Sequence, residues 1–311
     1  MENSLYPLKF SPIYKKTIWG GESWEISPIE NNISVVSNGF LAGNNLEELI
    51  EVYMGDLVGD KVYEKFGNMF PLLIKFIDAH DDLSVQVHPN DELALSRHNS
   101  FGKTEMWYVL ECEDGAKLVS GFNKSTSKEE YLEKLSLGSL QELLNYVDVK
   151  KNDVFFIPAG RVHAIGKGIR LAEIQQASDI TYRIFDYNRK DSFGKSRELH
   201  TSLATDAIDY NYYENVKSNY KTIDNKTVNV VDCQYFTTNV FSFSMPIEKD
   251  FPEIDSFIIY ICTLGECKIE CESKDNSIDL KSGEIVLIPA MIKNLCFYPQ
   301  GQTTLLEVYI K

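Results

Sequence analysis

Short stretches of alternating apolar and polar residues recur along most of this chain. In residues 83–88, the sequence LSVQVH sends Ser84, Gln86 and His88 to one face of a strand, because successive side chains of a strand alternate between its faces. Similar short apolar runs, bounded by turn residues, predict six further strands. These lie at residues 72–76, 106–111, 117–120, 154–157, 169–175 and 181–185.

Two segments have the spacing of an amphipathic helix instead. The first spans residues 45–70, where apolar residues recur three or four positions apart. The second spans residues 126–146, with Ser127 as a candidate N-cap and leucine stripes that are interrupted at Gly138. Mostly antiparallel strands combined with such helical segments predict a mainly β fold, either a sandwich or a barrel.

Length and composition narrow the class of protein. At 311 residues the chain exceeds a typical single domain, so we expect two domains, and an apolar fraction of 43% excludes wholesale disorder. No apolar run is long enough for a membrane span, and the first residues lack the basic start and apolar core of a secretory signal. We therefore expect a cytoplasmic protein without a membrane partner, whose six cysteines are reduced thiols.

The charge of the chain restricts its partners. A net charge of -15 argues against nucleic acid, because no basic stripe offsets it. An anionic small molecule would have to be held by a local cluster of cations. The candidates are Lys103, Arg161, Lys167, Arg170 and Arg183.

Candidate metal ligands lie on or beside three of the predicted strands. Gln86 and His88 share a face, Glu105 begins the next strand on the same face as Lys103, and His163 follows the run VFFI after a Pro-Ala-Gly turn. Imidazole, carboxylate and amide groups suit zinc, iron, manganese or nickel. The alternative is an edge strand with a wetted polar face and structural histidines. The chain has only five histidines, and the position of two of them beside a glutamate favours a metal site.

An internal repeat indicates a duplicated β-domain. Residues 151–159, KNDVFFIPA, resemble residues 282–290, SGEIVLIPA, and a second apolar strand precedes each copy. In this alignment His163 corresponds to Asn294, and Glu105 corresponds to Phe257. The second copy has thus lost these ligands, and only the first copy is expected to be catalytic.

Four motifs in order resemble the type I mannose-6-phosphate isomerases, which are zinc-dependent cupin enzymes. They are QVHPND at 86–91, GKTEMWY at 102–108, PAGRVHAI at 158–165 and SDITYRIFDY at 178–187. The resemblance implies two jelly-roll barrels: a catalytic cupin at 1–205, including the helical segments near 45–70 and 126–146, and a degenerate cupin at 206–311. It also implies one zinc ion in the first barrel, held by Gln86, His88, Glu105 and His163.

The resemblance further implies catalytic roles for Arg183, Lys103 and Asp179. Ser84, Trp19 and Glu173 are candidate substrate contacts, although Trp19 could equally be a core residue and Ser84 could merely fill the barrel. Without the resemblance, Arg183 would be expected to pair with a carboxylate such as Asp186. Thr104 stands where many members of the family have proline, and the large helical insertion of longer members is absent, as in a short bacterial form.

The expected activity is the interconversion of mannose 6-phosphate and fructose 6-phosphate through an enediolate. A proton moves between adjacent carbons, and a divalent cation with nearby arginine and lysine side chains offsets the developing negative charge. The proton carrier stays open among Lys103, Asp179 and Glu173. Alternatives are a metal-cupin oxygenase and a non-catalytic sugar-phosphate-binding cupin. We expect a monomer or a weak homodimer.

Overall fold

The computed structural model describes residues 5–190, 194–271 and 277–311. Among the described residues, twenty strands in four sheets outnumber five short α-helices, so the mainly β class is confirmed. Within these residues, no helix combines the length and the apolar character that a membrane span requires. All six cysteines are free thiols.

The helices and strands have the following bounds. The α-helices are α1 (Leu46–Val58), α2 (Asp60–Phe66), α3 (Asp91–His98), α4 (Lys128–Ser136) and α5 (Thr201–Ala207). The strands up to residue 185 are β1 (Ile13–Thr17), β2 (Gly20–Ile26), β3 (Leu72–Ala79), β4 (Val85–Val87), β5 (Glu105–Cys112), β6 (Lys117–Phe122), β7 (Leu144–Asp148), β8 (Val154–Ile157), β9 (His163–Ala164), β10 (Ile169–Gln176) and β11 (Tyr182–Phe185). The remaining strands are β12 (Lys226–Asp232), β13 (Thr237–Phe243), β14 (Ile247–Asp250), β15 (Ile258–Leu264), β16 (Glu266–Cys271), β17 (Ser277–Lys281), β18 (Ile285–Ile288), β19 (Asn294–Pro299) and β20 (Thr303–Tyr309).

One compact unit comprises residues 14–24 and 72–218. Its two sheets have the strand orders β1-β2-β3-β10-β5-β8 and β11-β4-β9-β6-β7. Apolar side chains from both sheets, including Trp107 and Leu118, form a shared core. A second cluster joins β4 and β6 to Tyr131 of α4 and Ala204 of α5, so helices cover the smaller sheet. We call this unit the first barrel.

The other compact unit contains residues 25–71 and 219–311 together with the chain up to residue 13. Its sheets have the orders β12-β13-β20-β15-β18 and β14-β19-β16-β17, around an apolar core of its own. We call this unit the second barrel. The predicted division after residue 205 was continuous along the chain, whereas the compact units are discontinuous, and the predicted helical stretch 45–70 clusters with the second barrel.

The two units repeat one strand order. In the larger sheets, β2-β3-β10-β5-β8 matches β12-β13-β20-β15-β18, and in the smaller ones β4-β9-β6-β7 matches β14-β19-β16-β17. The ladders also correct the register of the repeat. Ile157 pairs with Glu105, and its counterpart Ile288 pairs with Ile258, so Glu105 corresponds to Ile258 rather than to Phe257. The alignment of the two copies by sequence was shifted by one residue at this strand. Equivalent positions are defined by strand pairing, and a sequence alignment does not contain that information.

Glycines divide the predicted helical segments. Gly59, at φ +97°, separates α1 from α2, and a side chain there would collide with the backbone carbonyl of Asp255. The prediction of a helix to residue 146 was wrong, because the chain leaves the helix after Ser136 and passes through Gly138 at φ +68°. The leucine stripe that follows belongs to a 3₁₀ turn, Leu140–Leu143, and to β7.

A buried polar network lies in the second barrel. Glu307 accepts hydrogen bonds from Tyr260 Oη at 2.8 Å and Asn239 Nδ2 at 3.0 Å, and it pairs with Lys249. In the repeat, Glu307 stands opposite Tyr260 as Glu173 stands opposite Trp107 in the first barrel. The second barrel therefore retains a buried glutamate at this position within a fully paired network.

Lys249→Ala is expected to destabilise the second barrel by about 3 kcal/mol, because it leaves the Glu307 carboxylate buried without its cation. Urea unfolding of the full chain measures this change. Lys268→Ala breaks an exposed pair with Glu270 and is the matched control, for which we expect a much smaller change. An equal effect of the two substitutions would contradict the assignment of Lys249 as the counter-ion of a buried charge.

Candidate metal site and substrate cavity

Four polar side chains meet inside the first barrel. Gln86 in β4 pairs directly with His163 in β9, and Glu105 begins β5 in the opposite sheet. Nε2 of His88 lies 3.4 Å from Oε2 of Glu105, and Nε2 of His163 lies 3.3 Å from Oε1. The side chain of Gln86 completes the group, with its Nε2 3.2 Å from His163 Nε2.

Backbone carbonyls determine which nitrogen of each imidazole faces the cluster. His88 Nδ1 lies 2.9 Å from the carbonyl oxygen of Ile180, and His163 Nδ1 lies 2.8 Å from that of Arg161. A carbonyl can only accept a hydrogen bond, so each Nδ1 carries the proton and each Nε2 presents its lone pair to the cluster. This is the tautomer that a metal-binding histidine requires.

The charges in the cluster suit a cation. Burial and the neighbouring Lys103 lower the pKa of His88 to about 3, and burial also lowers the pKa of His163, so both rings are neutral at pH 7. Burial opposes ionisation of Glu105, but the ammonium of Lys103, 3.3 Å away, holds the pKa of this carboxyl well below its usual range. The cluster thus combines an anionic carboxylate with two neutral imidazoles.

The hydrogen-bonding state of these atoms tests whether a metal fits. The candidate donor atoms of His88, Glu105 and His163 lie within 4.8 Å of one another, and all three residues are buried. Within the described residues, His88 Nε2 and both Glu105 oxygens make no hydrogen bond, and the contact with Lys103 is an ion pair at 3.3 Å. Buried polar atoms without partners are costly, and a shared cation would satisfy all three. The amide of Gln86 would have to turn over to present its oxygen instead of Nε2.

A cavity of about 290 Å³ opens beside this cluster. Two residues join it to the cluster: Gln86, and Lys103, which touches Glu105. The remaining predicted site residues that line the cavity are Trp19, Ser84, Glu173, Asp179 and Arg183. Its polar lining and its size suit a small charged molecule such as a sugar phosphate.

A buried lysine in this cavity was missed by the sequence analysis. Lys75 of β3 lies 3.3 Å from Glu173 Oε1 and 3.4 Å from Glu22 Oε2, with its ammonium 5.1 Å from the ring centre of Trp24. The two carboxylates outweigh burial and raise the pKa of Lys75, so it stays charged. The available signal was a single lysine in the otherwise apolar run LLIKFI, since a charge in such a strand needs a partner.

The two carboxylate oxygens of Glu173 have different surroundings. Oε2 accepts a hydrogen bond from Trp107 Nε1 at 2.9 Å, whereas Oε1 makes no hydrogen bond among the described residues and contacts only the ammonium of Lys75 at 3.3 Å. Burial and the charge of Glu105 raise the pKa of Glu173 above its ordinary value. A carboxylate in this state exchanges protons closer to neutral pH than an exposed one.

Arg183 reaches the cavity wall without pairing with Asp186. Its Nε donates to Ser84 Oγ at 3.3 Å, and a terminal nitrogen donates to the carbonyl of Glu198 at 2.9 Å. Asp186 instead binds Arg189 and Arg197, and Arg197 also lines the cavity. The alternative pairing of Arg183 with Asp186 was therefore wrong, because two other arginines occupy that carboxylate.

The remaining candidates occupy different surroundings. Trp19 is both a core residue and part of the cavity wall, so its two proposed roles are compatible. Asp179 is exposed in the loop between β10 and β11. Arg161 lies against the ring of Tyr213 at 4.1 Å, and Arg170 pairs with Glu111 at 3.8 Å. Of the predicted cations, Lys103 and Arg183 line the cavity and Arg161, Lys167 and Arg170 do not.

A metal-capable cluster beside a polar, sugar-sized cavity in a jelly-roll barrel is typical of a metal-dependent enzyme of the cupin class. Residues 8–115 match the family model of the type I phosphomannose isomerase catalytic domain. The mannose-6-phosphate isomerase ManA of Bacillus subtilis is 40% identical over 76% of this chain and 80% of its own length. This chain belongs to the type I phosphomannose isomerases, a metal-dependent family.

Two further relatives cover more of the chain. The mannose-6-phosphate isomerase of Streptococcus mutans is 34% identical over 89% of this chain and 85% of its own length. A crystal structure of a Bacillus subtilis mannose 6-phosphate isomerase superposes with a TM-score of 0.85 at 29% identity, covering 98% of this chain and 100% of that one. The cupin fold predicted for both barrels agrees with this match.

Proposed function

We propose that this chain interconverts mannose 6-phosphate and fructose 6-phosphate in the first barrel. The observation that carries the proposal is the contact between the metal-capable cluster and the cavity, where Lys103 joins Glu105 to a space large enough for a hexose phosphate. The family supplies the reaction class. The cations in the cavity supply a reason for a phosphorylated substrate.

We further propose zinc as the metal, held by His88, His163, Glu105 and a turned Gln86 amide. Two neutral imidazoles and a carboxylate are a donor set that zinc accepts. When bound, the cation acts as a Lewis acid towards the adjacent carbonyl and hydroxyl oxygens of the sugar. Trp107 stands edge-on to the ring of His163 at 5.4 Å and limits its rotation.

Three cations have different proposed roles. Arg183 and Arg197 line the same cavity, and the planar donor fork of arginine suits the phosphate group. Lys103 lies next to Glu105 and is placed to stabilise negative charge on the reacting oxygens. Ser84 holds Arg183 through its hydroxyl, and Trp19 forms part of the apolar wall.

For proton transfer between the two carbons we favour Glu173. Its raised pKa and its position in the cavity wall fit a general base, while Trp107 anchors Oε2 and the ammonium of Lys75 lies 3.3 Å from Oε1. Asp179 lines the same cavity from an exposed loop and is the alternative. Lys103 is better suited to charge stabilisation, because its ammonium already faces a carboxylate.

We propose a packing role for the second barrel, in which a hydrophobic residue, Ile258, stands at the position of Glu105. We also propose a cytoplasmic location, because phosphorylated sugars do not cross membranes unaided. For the oligomeric state we propose a monomer or a weak homodimer. These three points depend on the isomerase assignment.

A coupled assay for fructose 6-phosphate tests the isomerase assignment. Zinc-loaded protein should convert mannose 6-phosphate, lose activity after chelation together with its bound metal, and recover both when zinc is restored. Metal content is measured at each stage. Binding without conversion by the zinc-loaded protein would indicate a sugar-phosphate-binding cupin, and oxygen uptake would indicate an oxygenase. Either result would overturn the proposal.

A further inference from the structure

The residue between Lys103 and Glu105 is held from outside the cavity by one buried glutamine. Gln176, at the end of β10, accepts a hydrogen bond from the Thr104 amide to its Oε1 at 2.8 Å. The backbone N–H of Gln176 donates to the Thr104 carbonyl at 3.1 Å. Both backbone polar groups of Thr104 are therefore bound to a single residue, which fixes the orientation of the peptide units on either side.

The same glutamine reaches the start of this segment through Asp91. Gln176 Nε2 donates to Asp91 Oδ1 at 3.0 Å, and this oxygen also accepts the amide of Gly102 at 2.9 Å. A side chain at Gly102 would collide with the backbone at Asn90 and Asp91, so the two segments are in close contact. Gln176 and Asp91 together hold residues 102–104 at both ends.

The position of Thr104 between two charged residues explains why this matters for the site. The charged atoms of Lys103 and Glu105 lie 3.3 Å apart, whereas the Thr104 hydroxyl accepts a hydrogen bond from the Ala159 amide. Lys103 borders the cavity, whereas Gln176 is buried and is not among the residues that line it. Any influence of Gln176 on the reaction must therefore be indirect, through the backbone of Thr104 or through Asp91 and Gly102.

We propose that Gln176 is a positioning residue that fixes the direction of Lys103 relative to Glu105. The inference rests on the proposed isomerase function and adds a residue that does not contact the substrate. Loss of its two side-chain hydrogen bonds leaves the Thr104 amide without its acceptor and loosens the peptide between the two groups. Small displacements of reacting groups reduce turnover strongly, so we expect an effect on kcat rather than on folding alone.

Three variants test this role in the full-length, zinc-loaded protein. Gln176→Met removes both side-chain hydrogen bonds at similar volume. Gln176→Glu keeps an oxygen that accepts the hydrogen bond from the Thr104 amide. Its other oxygen replaces the NH2 group that donates to Asp91, so two carboxylates face each other. The double variant Asp91→Asn/Gln176→Glu restores a donor towards residue 176 but loses the acceptor for the Gly102 amide, because Asp91 Oδ1 accepts both hydrogen bonds. Asn239→Leu is the matched control, because Asn239 is also a buried amide that donates to a carboxylate, Glu307, and accepts an amide hydrogen, from Asn229.

The readouts are kcat per bound zinc, KM, zinc content and melting temperature. We expect Gln176→Met and Gln176→Glu to lower kcat per bound zinc by about 10-fold to 100-fold with little change in KM. The double variant should have a higher kcat per bound zinc than Gln176→Glu without reaching that of the unmodified protein, because the Gly102 amide has lost its acceptor. Asn239→Leu should lower the melting temperature without changing kcat.

Two results would overturn the inference: a Gln176→Met protein with unchanged kcat per bound zinc, or a double variant no better than Gln176→Glu. The second comparison decides the question if Gln176→Met does not fold. An unmodified protein that converts no mannose 6-phosphate would refute the isomerase function instead, so the two failures are distinguishable.

Discussion

His88→Ala is expected to abolish both zinc retention and isomerase activity. His88 supplies a neutral imidazole whose Nε2 lies 3.4 Å from Glu105, and its Nδ1–H is anchored on Ile180. Removing it leaves an incomplete donor set and opens a void beside Glu105. Zinc content per chain after gel filtration, together with the coupled assay, measures the effect.

His80→Ala is the control for this substitution. His80 is largely exposed and contacts Asp78 at 3.3 Å, so this variant should keep its zinc and its activity. A metal-free His88→Ala protein with full activity would exclude the metal assignment. A protein that retained stoichiometric zinc would show that His88 is not a ligand.

Glu173→Gln is expected to lower kcat by about 100-fold to 10,000-fold while zinc content stays unchanged, if this carboxylate moves the proton. The substitution preserves the shape of the side chain, and the glutamine oxygen can still accept the hydrogen bond from Trp107. Lys75 loses one of its two carboxylate partners and keeps Glu22. Asp179→Asn removes a carboxylate from the same cavity and should have a far smaller effect. The reverse order would assign proton transfer to Asp179.

The raised pKa of Glu173 adds a pH signature to this experiment. A base must be deprotonated to act, so activity should fall as the pH drops through the pKa of Glu173. Burial raises that pKa, so the pH at which activity falls should lie above the pKa range of an exposed glutamate. This fall in activity at low pH should be absent from the pH profile of the Glu173→Gln variant. Its persistence would mean that another group controls the fall.

Most strands of the first barrel could be predicted because alternation is a local property. The predicted strands 72–76, 106–111 and 169–175 all lie within observed strands. The helix predicted to continue to residue 146 failed, because a leucine stripe serves a 3₁₀ turn and a strand as readily as a helix. The intrinsic preference of leucine does not decide between a helix and a 3₁₀ turn followed by a strand. The packing of α4 and β7 in the first barrel decides it.

The site shows the same division. The shared face of Gln86 and His88 follows from the strand period. The sequence pattern also predicted that these residues lie near Glu105, and in the structure they do. Lys75 could not be found in this way, because its role depends on Glu22 and Glu173 from two other strands of the sheet. Gln176 acts on Thr104 across 72 positions of sequence, and only the pairing of β10 with β5 brings them together.

By itself, the sequence of this protein determined the fold class, the duplicated strands, the family motifs and the faces on which the metal-ligand candidates lie. These properties arise from the local period of a strand and from residue types at short spacing. The tertiary structure alone decided the register of the repeat, the partners of Arg183 and Asp186, and the buried position of Lys75. Such properties depend on which strands pair and which side chains share a cavity, and a linear pattern of apolar and polar residues does not contain that information.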